Sequence, residues 1–163
     1  MTFRKQVQNK NTSRRTCFDY AQALLSKQMY TSVTLSRKLT HRGYPDGEVS
    51  QVIEKCTSLN FLNDTQYSMM YVQSRIRKGF GPKKIYGELL QRGISKQIAV
   101  DHINQIHWHD VLDTMAQTRS VFAKMIQNAS TNYTHRAKLY RYIISRGFGK
   151  SDFEYVTSSS SLS

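Results

Sequence analysis

Acidic side chains are scarce in this chain: 11 Asp and Glu stand against 24 Lys and Arg, which leaves a formal charge of +13 on 163 residues. Such an excess favours a polyanionic or acidic partner, whether nucleic acid, a nucleoprotein or an acidic protein groove. Cysteine is scarcer still. The two thiols, Cys17 and Cys56, are too few and too widely separated for a zinc ribbon or a disulfide framework, and Cys56 continues the apolar series Val49, Val52, Ile53 as a small buried hydrophobe. No apolar run has the length of a membrane span. Met1 to Thr16 is polar and basic, without the apolar centre of a signal peptide. A soluble, cytoplasmic, monomeric protein with no membrane association is the expectation. Nothing alternates apolar and polar in the period of a half-buried strand, so the fold is expected to be all-α.

The usual signatures of catalysis are missing too. Asp64, Glu88, Asp101, Asp110 and Asp113 are scattered singly and form no evident carboxylate pair for acid–base work. His107 and His109 flank Trp108, but positions two apart on a helix point in different directions and no nearby Cys completes a metal site. Gly79-Phe80-Gly81 follows a basic helix rather than a strand, and the Walker pattern is absent, so no phosphate cradle is read. The sequence therefore predicts a protein that is not an enzyme and uses no metal or cofactor.

What the chain does have is a repeated glycine-terminated helix. Between Arg75 and Ile94 a basic helix ends at Gly79, since a helix terminus commonly needs a left-handed residue that only glycine adopts cheaply. Gly81-Pro82 starts another, with Pro at the first helical position, and Gly93 ends it. Ile85, Leu89, Arg92, Gly93 and Ile94 share their spacing with Leu35, Leu39, Arg42, Gly43 and Tyr44, and with Leu139, Ile143, Arg146, Gly147 and Phe148. Val49, Ala99 and Phe153 hold equivalent places beyond the glycine, as do Ile53 and Ile103. Three copies of one supersecondary unit is the economical reading.

The expected organisation is an elongated tandem array of three three-helix repeats, over 17–60, 61–107 and 108–157. A flexible basic arm (1–16) precedes it and a Ser-rich tail (158–163) follows. Within it, Thr31 or Ser32, Asp64, Ser95 and Ser151 are expected N-caps. The alternating steps of three and four through Leu112, Met115, Arg119, Phe122 and Ile126 predict one long helix, and a polar loop follows at Asn128 to Asn132. With hydrophobic content at 39%, stacked repeats that bury one another's faces can supply a modest core.

Helical phase then sorts the cations. Arg42, Arg92 and Arg146 share the inward stripe, where their stems can pack on the core while their heads meet C-terminal helix carbonyls; contact with a partner is the other reading. Lys84 and Lys138, one residue before their anchors, and Arg37 and Arg141, two after, face solvent. With Arg75, Arg77, Lys78 and Lys83, the segment 71–96 carries seven basic residues and one acid, Glu88. Opposing acids for i,i+4 pairing are nearly absent, which favours a contact surface over a merely solvated face. Tyr86 and Tyr140 lie at the border between core and surface, where packing and stacking on a base or partner are both available.

These residues resemble the bacterial RecX family. The resemblance is closest through Phe61-Leu62-Asn63-Asp64, Tyr71 to Arg75, Arg77-Lys78-Gly79-Phe80-Gly81-Pro82-Lys83-Lys84-Ile85 and Gln91-Arg92-Gly93-Ile94, and it extends over about residues 17 to 157. Departures are Asn63-Asp64 where the family usually has Asp-Asp, Tyr67-Ser68 where it has Phe-Ala, and the weakly charged Lys27-Gln28-Met29-Tyr30-Thr31 where it has a basic run. The resemblance implies a modulator that lies along the RecA recombinase filament on DNA and limits its growth, ATP hydrolysis, strand exchange and co-protease activity. Recombination and the SOS response would thereby be damped. On this reading Arg75, Arg77, Lys78, Lys83, Lys84, Lys138 and Arg141 contact the filament. Direct, weak binding of nucleic acid is the alternative, and a scaffold for an unrelated acidic protein a further one.

Overall fold

The computed structural model describes residues 15–130 and 132–159, and these residues form ten helices and no strand. The expectations for an arm at 1–14 and for the tail at 160–163 lie outside the described residues. In chain order the helices are α1 (Cys17–Leu25), α2 (Ser32–Arg42), α3 (Asp46–Ser58), α4 (Asp64–Arg77), α5 (Pro82–Gln91), α6 (Lys96–Asn104), α7 (Trp108–Thr118), α8 (Ser120–Ala129), α9 (Tyr133–Arg146) and α10 (Lys150–Ser159).

Local signals set most of these boundaries. Thr16 accepts the Asp19 N–H, so α1 begins slightly earlier than its apolar spacing suggests. Thr31 and Thr34 form a reciprocal capping box at α2, and Ser95 accepts the Ile98 N–H at α6. Gly43, Gly79, Gly93 and Gly147 have φ of +93°, +77°, +80° and +91°, the left-handed conformation that closes a helix cheaply only in glycine. Two expected caps move. Asn63, not Asp64, caps α4 by accepting the Gln66 N–H. At α10, Ser151 lies inside the helix and the Asp152 carboxylate accepts the Gly149 N–H at 2.6 Å. Ser158 and Ser159, expected in the tail, belong to α10.

The larger difference is in the third unit. The long helix expected from Leu112 to Ile126 is two, broken at Arg119, whose backbone is extended (φ −120°, ψ 95°). Leu112 and Met115 on one side and Phe122 on the other are all buried in one core, so the apolar period carries through the break and hides it from the sequence.

Buried side chains fall into three separate cores, one per unit. The repeated positions supply them: Leu35, Ile85 and Leu139 are fully buried, as are Leu39 and Leu89, and Ile143 is 1% exposed. Cys17 and Cys56 lie in the first core, where burial pushes both thiols above their ordinary pKa. Trp108 packs against the second and third cores together. Closely packed helix pairs all lie within one unit. The units therefore meet through helix ends.

A candidate partner-binding surface at the joint of two units

Both joints use the same end-to-end contact. At the first, the Thr31 hydroxyl at the start of α2 donates to the Arg92 carbonyl at the end of α5 (2.6 Å). Ser32 donates its N–H to Asp64 at 2.8 Å, and its hydroxyl bonds the same carboxylate. Val33 lies against Gly93 so closely that a Cβ there would collide with it. At the second joint, Gly81 holds the place of Thr31, and its N–H donates to the Arg146 carbonyl (2.7 Å) while the Lys83 N–H donates to the Gly147 carbonyl (3.0 Å). The positive end of one helix thus meets the negative end of another. Gly81 has an ordinary φ of −94°, so its requirement is spatial: a Cβ would lie 2.7 Å from the Phe148 ring and 2.8 Å from the Gly147 carbonyl carbon.

This second joint is where the basic residues gather. Arg119, at the α7–α8 elbow, donates to the Arg77 carbonyl at 2.6 Å and the Lys78 carbonyl at 3.3 Å, and Arg146 donates to the Lys78 carbonyl at 3.2 Å. Three cations surround the Phe80 ring: Arg75 at 3.9 Å, Lys84 at 4.8 Å and Arg146 at 5.1 Å from its centre. An aromatic face offers them partial negative potential. The carboxylate among them is Glu88, paired with Arg75 and also accepting the Tyr71 hydroxyl at 2.9 Å. Burial raises the Tyr71 phenol pKa; the hydrogen bond from Arg92 opposes that rise and the bond to Glu88 adds to it.

The seven contact residues read from the sequence therefore divide. Arg75 is half-buried and held by Glu88 and Phe80. Arg77, Lys78, Lys83, Lys84, Lys138 and Arg141 are exposed, and none of them forms an ion pair among the described residues. Tyr86 packs on the second core. Tyr140 is 41% exposed and meets Phe153 edge-on.

The repeated arginines each meet an aromatic ring of the protein. Arg42 lies over Tyr20 (5.5 Å). Arg92 lies over Tyr71 (4.6 Å) and donates to the Tyr67 hydroxyl (3.1 Å). Arg146 lies between Phe80 and Tyr142. The carbonyl contact of Arg146 reaches α4 of the neighbouring unit rather than its own helix.

The departures from the family pattern acquire partners here. Tyr67 offers Arg92 an oxygen that Phe lacks. Ser68 is fully buried and bonds His102 Nδ1 at 3.1 Å, tying α4 to α6. The roles of Arg119, Phe80, Val33 and Asp64 between units had no signal in the sequence. No group of three or more potential metal ligands occurs among the described residues, and no helix there is long and apolar enough to cross a membrane.

Comparison with known proteins agrees with this architecture. Two family models match, described as the first three-helix domain of RecX over residues 17–56 and the second over residues 63–101. Regulatory protein RecX of Haemophilus influenzae (strain PittEE) is 27% identical over 142 residues, which covers 83% of this chain and 89% of that protein. Regulatory protein RecX of Yersinia pseudotuberculosis (serotype O:1b, strain IP 31758) is 30% identical over 110 residues, covering 66% of this chain and 58% of that protein. The crystal structure of RecX from Lactobacillus salivarius superposes with a TM-score of 0.79 at 22% identity, covering 90% of this chain and 96% of that one. With the domain models, the relatives and the helical array in agreement, this chain belongs to the RecX family.

Proposed function

We propose that this protein is a regulator without catalytic activity of its own, and that it lies as a monomer along the RecA recombinase filament on DNA. There it limits filament growth, ATP hydrolysis, strand exchange and co-protease activity, and so damps recombinational repair and the SOS response. Its relatives are named regulatory proteins. The observation that carries the reading is the set of exposed cations without acidic partners among the described residues, Arg77, Lys78, Lys83 and Lys84 beside the second joint and Lys138 and Arg141 on α9. An array of small units presenting charge at several points suits a long groove beside a polyanion, where weak contacts sum by avidity. Arg75 contributes by holding Phe80 and Glu88 in place beneath that surface.

A specific observation bears on the alternative, direct nucleic-acid binding. The start of a helix is a natural phosphate site, yet the Gly81 and Lys83 N–H groups at α5 and the Ser32 N–H at α2 are already bonded across the joints. At these two joints direct contact with a phosphate backbone would fall to side chains.

The test titrates this protein into preformed recombinase filaments on single-stranded DNA and follows ATP hydrolysis, with bare-DNA binding measured in the same buffer. Inhibition below the concentration that coats bare DNA is expected, together with its loss when Lys83→Glu and Lys84→Glu are combined. Inhibition that begins only at DNA saturation would mean competition for the strand, and an unchanged double variant would remove these lysines from the contact.

A further inference from the structure

Across the second joint no helix pair packs closely along its length, so the angle between the middle and third units depends on a few attachments. One is the chain itself, reinforced where Trp108 Nε1 donates to the Ile103 carbonyl (3.2 Å). A second is the end-to-end contact of α5 with α9 through Gly81 and Lys83. Two attachments define an axis about which one body can still turn; a third, on a different pair of helices, stops the turning. The end of α4 receives it: Arg119 donates from the α7–α8 elbow to the Arg77 and Lys78 carbonyls, and Arg146 adds one bond from α9 to the Lys78 carbonyl.

Several features single Arg119 out. Its extended backbone breaks an apolar stripe that would otherwise continue as one helix. Its guanidinium points toward a segment that already carries Arg75, Arg77 and Lys78, so ion pairing is not the reason for its place. The carbonyls at the negative end of α4 are. Gly79 makes the room, since a Cβ there would lie 2.9 Å from Arg119 Nη1.

We propose that Arg119 is a positioning residue that fixes the angle between the middle and third units and with it the register between the cations of α4 and α5 and those of α9. The consequence for binding rests on the filament reading above; the consequence for geometry does not.

The two native thiols are fully buried, so spin labels can be directed to exposed positions by Thr65→Cys on α4 and Gln127→Cys on α8. Distances between the labels are measured in the full chain with Arg119 and with Arg119→Ala or Arg119→Lys, and the unlabelled proteins are assayed for recombinase-filament affinity at several salt concentrations. Arg119→Ala is expected to broaden the distance distribution and to weaken filament binding about 3- to 10-fold. The dependence of affinity on salt should stay unchanged, whereas loss of a contact cation such as Lys83 lowers that slope by about one. Arg119→Lys, which keeps the charge and can reach one carbonyl, should restore part of the narrow distribution, and it carries the comparison if the alanine variant does not fold. Unchanged distances would overturn the proposal. A fall in salt slope without broadening would make Arg119 a contact residue instead, and broadening with unaltered affinity would separate the joint from binding. If the parent protein does not bind filaments, the reading under Proposed function fails, while the distances still decide whether Arg119 holds the joint.

Discussion

At the scale of single residues, glycine carries two different burdens in this chain. Gly93 is left-handed and Val33 of the preceding unit is packed directly against it. Gly93→Ala should therefore cost about 1–2 kcal/mol for the conformation and about 1–3 kcal/mol more for the overpacking. Gly87, in the middle of α5, has nothing within 4 Å of where a Cβ would stand. Gly87→Ala should stabilise the protein by about 0.5–1 kcal/mol, because alanine is the better helix former and the space is open. Thermal unfolding of the two variants, side by side, checks both signs. A loss in Gly93→Ala no larger than the conformational cost alone would mean that the close approach of Val33 is not maintained in solution.

At the scale of the element, α4 gathers most of what distinguishes this chain from the family pattern. Its N-cap is Asn63, its second turn carries the Tyr67 and Ser68 hydroxyls that bond Arg92 and His102, and its last turn carries Arg75 and Arg77. The helix is thus pinned along one side by polar bonds to α6 and to the end of α5, while its basic end is covered by Arg119 and Arg146. Removing the cap tests how independent these supports are. Asn63→Ala should lower stability by about 1 kcal/mol, the common cost of a lost N-cap, and amide exchange should quicken in the first turn of α4 without reaching Arg75. Faster exchange at the basic end as well would show that the helix responds as one piece.

For the whole molecule, stability should behave as the sum of three unit cores and two joints. The first joint is closed by side chains and the second largely by backbone groups, and this makes the first open to a pairwise measurement. Ser32 gives both its N–H and its hydroxyl to Asp64, and hydrogen bonds to a charged acceptor contribute about 1.5–3 kcal/mol. A double-mutant cycle of Ser32→Ala with Asp64→Ala should return a coupling energy toward the lower end of that range, because the N–H survives in Ser32→Ala and only the hydroxyl bond is isolated. A coupling near zero would mean that the Ser32 hydroxyl adds nothing to the joint. The third unit is built differently, since α9 begins with a turn that α2 and α5 lack and packs along α8 as well as α10.

The sequence by itself determined what depends on neighbours along the chain. Glycine placement ended four helices; apolar spacing picked out Leu35, Ile85 and Leu139 with their partners as core; and the resemblance carried by the central segment pointed to the family. Helical phase also marked Lys84, Lys138, Arg37 and Arg141 as exposed, which they are. Tertiary structure alone decided whatever acts between units. A one-residue break at Arg119 leaves the apolar period intact, so no pattern reveals it until α4 supplies the carbonyls that its side chain reaches. Asp64 looks like a cap until α2 arrives beside it, and Gly81 looks like a mere helix start until Phe148 and Gly147 fill the space where a side chain would be. Periodicity reports which way a side chain points from its own helix; only the packed array fixes what it meets there.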